Sequence, residues 1–329
     1  MRNLLRSHPL FAALTLLALP ACGAGTTPTA PGLVIQNQLA SHYVGTALKR
    51  PALISFDFYT DALESWPITR SGGDQPHDIS GPLGIGNVYA LVANNDVVAL
   101  ANYSPAEIVT YNVRTTREKT LPDPYGGPVD LAIDKQGTLY ALNLANVAVF
   151  KAGSSNPSEL TCRYLNNGLA IAVNNEGDVF VNGYGPSGFM GVVEYPVGSQ
   201  TCVKPHLRAE RGYAAGVGVD PKTDDLIVVD DPDFCAGGIE GRMIIYPKPY
   251  EQRTSRRRIL ETTYCSGTFR LDATSKLIFY QDATVSAAFP LIEESTYPGG
   301  HFLGTYQSSP SGYSGYFGGI TTIPNALPN

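Results

Sequence analysis

The chain has 329 residues and a formal net charge of −6. Such a surface has no general attraction for phosphate backbones, which argues against nucleic-acid binding. Hydrophobic residues make up 43% and charged ones only 16%, with 34 Gly, 25 Pro and 19 Tyr, so the composition suits a turn-rich β protein rather than a helical one.

Residues 1–22 read as an export signal. Arg2 and Arg6 supply a positive start, and residues 10–19 (LFAALTLLAL) form an apolar core too short to cross a bilayer as a lasting helix. The segment ends in Leu19-Pro20-Ala21-Cys22. A small residue before Cys at this place resembles the lipobox of bacterial lipoproteins. That resemblance implies cleavage before Cys22, lipid on its sulfur and new amino group, and a membrane association made only through the lipid. Gly23 stands where an Asp would resemble an inner-membrane retention signal, which favours the outer membrane in a cell with two. The other reading is an ordinary secretory leader with an incidental Cys; both place the mature chain outside the cytoplasm. Residues 23–32 (GAGTTPTAPG) cannot bury apolar surface and read as a flexible tether. Residues 33–329 are expected to form a single domain.

The clearest structural signal is residues 125–151. Val129, Leu131 and Ile133 alternate with Asp130, Ala132 and Asp134; Leu139–Leu142 follows a turn at 134–137; Val147–Phe150 follows a break at 143–146. Period-two runs between Gly, Asn and Asp turns are the signature of hairpins. The unit recurs over residues 168–196, 216–247 and 267–289. Its turn-opening residues are Asp134, Asn174, Asp220 and Asp272, spaced by 40, 46 and 52, and a step back by 40 reaches Asn94. Each unit continues into a more polar segment, at 116–121, 159–164, 200–206 and 256–262. Four strands in about 40–50 residues is the size of a β-propeller blade. Blades should begin near residues 88, 129, 168, 216 and 267.

The runs HYVGTAL, ALISFDF and LESWPIT within residues 42–69 lack an opening strand. FGGITTIP at 317–324 looks like an opening strand with nothing after it. Joined, they complete a sixth blade from both ends of the chain. The expectation is an all-β six-bladed propeller with four-stranded blades, and residues 71–87 as an interblade loop. Gly127, Gly168, Gly216, Gly267 and Gly319 each precede an opening strand, where side chains crowd at the axis. The units resemble NHL and related six-bladed repeats, closest at residues 127–150 (GPVDLAIDKQGTLYALN…VAVF), with the likeness running over about residues 84–290. The resemblance implies the fold and leaves function open, since propellers host enzymes, binding modules and scaffolds.

Cys162, Cys202, Cys235 and Cys265 remain after Cys22, an even number for an oxidising compartment, and none are at CxxC spacing. Same-face loops beside one blade favour Cys235 with Cys265. Cys162 and Cys202 occupy equivalent outer-strand places one blade apart.

Loops between second and third strands, and loops between blades, emerge on one face, where a site is expected. Asp230, Asp231 and Asp233, with Glu240 nearby, could offer oxygen ligands to Ca²⁺ or another divalent cation, or form a solvated acidic loop. Asn166-Asn167-Gly168-Leu169-Ala170 resembles the Asn-Gly-Leu segment of gluconolactonase-like propeller hydrolases, which would make Asn167 a metal ligand. The Glu-Gly-Pro and Ser-Asp-Gly settings of that family's other ligands are not found here. Tyr125, Tyr184, Tyr213, Tyr264, Tyr313 and Tyr316 could ring a channel mouth and stack on sugars or grip a peptide, or fill wedges between blades. His77 and Asp78 in the 71–87 stretch could face the channel beside Asp130. The basic run Arg256-Arg257-Arg258 falls on an outer strand, where charge discourages edge pairing. No complete catalytic constellation is present. The expected function is non-catalytic binding of an envelope protein, peptide or glycan; the alternatives are a metal-dependent lactonase-type hydrolase and a structural scaffold.

Overall fold

A computed structural model describes residues 51–58, 60–69, 76–205, 207, 213–231, 242–250, 258–261, 266–282, 291–307 and 319–323. In chain order, blade I holds β1 (Ala52–Asp57), β2 (Ala62–Pro67) and β3 (His77–Asp78). Blade II holds β4 (Val88–Asn94), β5 (Val97–Asn102), β6 (Glu107–Asn112) and β7 (Arg117–Pro122). Blade III holds β8 (Asp130–Ile133), β9 (Leu139–Leu142), β10 (Asn146–Phe150) and β11 (Ser158–Thr161). Blade IV holds β12 (Asn167–Val173), β13 (Val179–Tyr184) and β14 (Met190–Tyr195). Blade V holds β15 (Tyr213–Val219), β16 (Leu226–Asp231), β17 (Arg242–Tyr246) and β18 (Arg258–Glu261). Blade VI holds β19 (Ser266–Leu271), β20 (Leu277–Asp282), β21 (Leu291–Thr296) and β22 (Phe302–Gln307). The last strand, β23 (Ile320–Ile323), returns to pair with β1 and becomes the innermost strand of blade I.

Every blade is an antiparallel meander. Innermost strands pack in sequence, β23 on β4, then β8, β12, β15, β19 and back to β23, so the ring closes. Blade faces are buried between neighbours, and this explains the strand patterns. In β9 all four residues are buried: Leu139 and Ala141 face blade II, while Tyr140 and Leu142 face blade IV. Among the described residues, six apolar clusters form, one at each interface between neighbouring blades. The one closing blade VI on blade I contains Leu53, Trp66, Phe279, Tyr306 and Ile320.

The repeated turn residues have a local physical role. Asp134 Oδ1 accepts from Thr138 N at 2.7 Å, Asn174 Oδ1 from Asp178 N at 2.9 Å, Asp220 Oδ1 from Lys222 N at 2.8 Å, and Asp272 Oδ1 from Leu277 N at 2.7 Å. A short side chain that bonds the backbone just ahead fixes the tight connection between first and second strands. Glycine is required at two blade openings for close approach. A Cβ on Gly127 would lie 2.5 Å from the Tyr103 carbonyl oxygen, and Gly319, at φ +92°, would place one 2.7 Å from Ala90 Cα.

One expectation needs correction. Residues 71–87 are not all interblade loop, because His77-Asp78 pairs with Ser65 and Glu64 as the outermost strand of blade I. The 42–48 run expected in that blade lies outside the described residues. Among the described residues, the outer segment of blade IV is marked by isolated bridges. Val203 bridges Glu194, while Thr201 bridges Thr161 of blade III in parallel. Cys162 and Cys202 form a disulfide with Cα atoms 5.2 Å apart. The segment expected as the outer strand of blade IV is thus drawn across the interface and stapled to blade III.

Candidate functional site: the loop face and the axial ion pair

The loops β5–β6, β9–β10 and β13–β14 share one face with the connections between blades, as the meander requires. Asp130 opens β8 at this end and is 4% exposed. Its Oδ1 accepts from Leu131 N at 2.9 Å and Arg270 Nη2 at 3.1 Å; its Oδ2 accepts from Ile171 N at 2.8 Å. Arg270 lies on β19 in blade VI, three blades around the ring. Its Nη2 also donates to the Leu91 carbonyl on β4 at 3.2 Å. The Arg270–Asp130 ion pair therefore spans the axis and ties the innermost strands of blades II, III, IV and VI. Asp130 was expected on an open ligand-binding face; the structure makes it half of a bolt across the channel. Arg270 was missed. Its only signal is a charge in the otherwise apolar run Phe269-Arg270-Leu271.

Around the mouth, polar contacts hold the loops. Asp123, 4% exposed, accepts from Tyr125 N at 3.0 Å and Asn143 Nδ2 at 3.2 Å. Burial pushes the Asp123 carboxyl above its ordinary value, against the lowering effect of these two donors. The bonds clasp the II–III connection to the β9–β10 turn. Tyr125 is half-buried in the apolar cluster between blades II and III, with its hydroxyl donating to Pro157 O at 3.4 Å. It is a wedge between blades rather than a free ring.

Beyond this shell the face carries large exposed apolar groups. Tyr89 is 54% exposed, Tyr103 38%, Leu144 43% and Met190 40%. Tyr89 and Tyr103 stand with ring centroids 5.1 Å apart. These four lie at the loop ends of three successive blades, II, III and IV. The other large exposed apolar groups among the described residues, Val197, Val203 and Phe302, sit away from this face. The residues expected at blade entrances do not include Tyr103 in the β5–β6 loop, Leu144 in the β9–β10 loop or Met190 at the start of β14.

Asn167 opens β12, is exposed, and pairs with Tyr184 at the end of β13. Tyr184 is half-buried, and its carbonyl accepts from Asn166 N at 2.9 Å. Asp230 and Asp231 end β16, opposite Ala214 and Tyr213, so they reach the same face in the neighbouring blade. Among the described residues, no three His, Cys, Asp or Glu side chains gather as metal ligands would. His77 and Asp78 do not meet Asp130; they are exposed on the outer edge of blade I. Cys22, Asp233, Cys235, Glu240, Tyr264, Cys265, Tyr313 and Tyr316 lie outside the described residues. Among the described residues, no helix is long and apolar enough to cross a membrane.

No protein-family model matches the chain, and no curated protein matches it in sequence. Solved structures do resemble it. A chain of a nidogen/laminin complex is 14% identical, with 84% of this chain and 100% of that one covered and a TM-score of 0.65. TolB from Acinetobacter baumannii is 12% identical over 84% of this chain and 67% of that one, TM-score 0.62. A chain of Kuenenia stuttgartiensis hydrazine synthase is 14% identical over 65% and 64%, TM-score 0.50. At these identities the likeness is one of fold, and it agrees with the six-bladed ring.

Proposed function

We propose that this protein is a non-catalytic binding propeller that holds a protein partner on its loop face, tethered in the cell envelope through a lipid on Cys22. The observation that carries the reading is the set of exposed Tyr89, Tyr103, Leu144 and Met190 along the loop ends of three adjacent blades. Large apolar groups collected on one face have a reason to be there that singly scattered ones lack. Tyr and Met are favoured at protein interfaces, where a broad contact area comes with a polar handle or a pliable chain. The bolt at Arg270–Asp130 adds to this, since it engages the charged side chains of Asp130 and Arg270 with each other rather than with a ligand. Membership of a nidogen/laminin complex by one structural neighbour is compatible with the reading. The tether rests on the leader and the residues around Cys22 alone.

A photo-crosslinking amino acid placed at Tyr103 or Leu144, and at Lys135 on the opposite face as control, tests it in intact cells. One dominant adduct from the first two positions and none from Lys135 is the expected result. Equal labelling from both faces would overturn the assignment. So would chelator-sensitive lactone hydrolysis by the purified domain, which belongs to the hydrolase reading of Asn167.

A further inference from the structure

The disulfide does more than join two blades. Cys162 is followed by Arg163 and Tyr164, and Cys202 by Val203 and Lys204. Joining the cysteines carries Lys204 of blade IV over the III–IV connection. Its Nζ stands 4.5 Å from the ring centroid of Tyr164 and 4.5 Å from that of Phe189. Arg163 folds back so that its Cζ is 4.7 Å from the Tyr164 centroid, with its guanidinium bonded to the Tyr164 hydroxyl. The backbone beneath is zipped: Asn166 N donates to Tyr184 O at 2.9 Å and Gly185 N to Phe189 O at 2.9 Å. The result is two exposed cations set over two aromatic rings on a main chain pinned by the disulfide and these hydrogen bonds.

Charge then says what belongs there. The chain as a whole is −6, yet Arg163 and Lys204 are exposed here and neither is in an ion pair among the described residues. By contrast Lys248 is held by Glu176 at 2.6 Å and Arg114 by Asp96 at 3.1 Å. Met190 and Leu144 supply exposed apolar contact on the same face. Resting on the protein-binding reading above, we infer that this corner of blades III and IV is the anchoring subsite for an acidic segment of the partner, one that sets Asp or Glu beside a large apolar residue. Carboxylates would pair with Lys204 and Arg163, and the apolar neighbour would cover Phe189 and Met190. The electrostatic part governs partner choice and the rate of encounter.

The test is selection of displayed random short peptides on the intact protein, followed by binding of the most enriched synthetic peptide to wild type and to Arg163→Gln/Lys204→Met. Both positions are exposed, and unchanged thermal unfolding of the double variant shows that it is folded. The expected outcome is enrichment of Asp or Glu beside Leu, Phe or Trp, with about tenfold weaker binding by the double variant and a loss of affinity as salt is raised. Basic or uncharged peptides, or equal affinity for the double variant, would overturn the inference. If the enriched peptides are lost on Tyr89→Ala/Tyr103→Ala but kept by the double variant, the loop-face reading stands and this subsite falls. No enrichment on wild type sinks both.

Discussion

The bolt across the channel makes a quantitative demand. Replacing Arg270 with Met removes the cation and leaves the Asp130 carboxylate buried, with only the Leu131 and Ile171 amides to hold it. Breaking a buried pair from one side costs about 3–5 kcal/mol, because the remaining charge is stranded. Two factors put this case at the low end. The amide donors still stabilise the charge, and the Arg270 side chain is 17% exposed, so some water reaches the pair. At about 2 °C per kcal/mol for a domain of this size, the midpoint should fall by roughly 6 °C. Asp130→Asn should cost less, since Arg270 keeps the carbonyls of Leu91 at 3.2 Å and Phe269 at 3.0 Å. The double variant should be more stable than the two single losses summed, with a coupling of about 1.5–3 kcal/mol. The measurement is thermal unfolding of all four proteins by circular dichroism. Additive losses, or an Arg270→Met midpoint within about 1 °C of wild type, would show that the ion pair does not hold the ring.

Other parts of the fold are open to the same kind of test. The Cys162–Cys202 bridge closes a loop of sequence separation 40, so Cys162→Ser/Cys202→Ser should lose up to about 4 kcal/mol, read as a lower thermal midpoint than wild type without reductant. Gly127→Ala puts a Cβ 2.5 Å from the Tyr103 carbonyl oxygen; it should cost about 1–3 kcal/mol and shift the Tyr103 loop, seen as reduced crosslinking there while the Leu144 position still labels. Glu294 is fully buried, and burial raises its carboxyl above the ordinary value despite the Tyr306 hydroxyl donating to Oε2 at 2.7 Å. The fold then favours the protonated form, and stability is lost as pH rises through the usual carboxylate range. Glu294→Gln should therefore match or exceed wild type at pH 7, with the advantage vanishing at acid pH; an advantage that grows on acidification would contradict the argument.

Much of this architecture is visible in residue order because it is local. Blade openings expected at 88, 129, 168, 216 and 267 fall at Val88, Asp130, Asn167, Tyr213 and Ser266. Period two shows each strand, and an Asp or Asn that bonds its own turn marks each first hairpin. Blade I was paired from opposite chain ends because each end held an incomplete unit. What stayed hidden is what depends on distant partners. His77-Asp78 is polar and two residues long, so it has no period to read, and only the edge of β2 makes it a strand. In blade IV the outer segment is stapled to blade III by a disulfide between cysteines at equivalent outer-strand places one blade apart, a contact that no local period announces. Arg270 and Asp130 are 140 positions apart, and neither has local company that foretells the other. The same reasoning separates structure from function at the loop face. Asp130 at the channel and Tyr125 at a blade entrance both belong to the regular unit, and both are consumed by it, one in the bolt and one between blades. Tyr103, Leu144, Met190 and Lys204 break the pattern, since nothing in the blade requires a large apolar group or an unpaired cation on an exposed turn. In a repeat fold the residues that the repeat does not need are the ones left free to meet a partner.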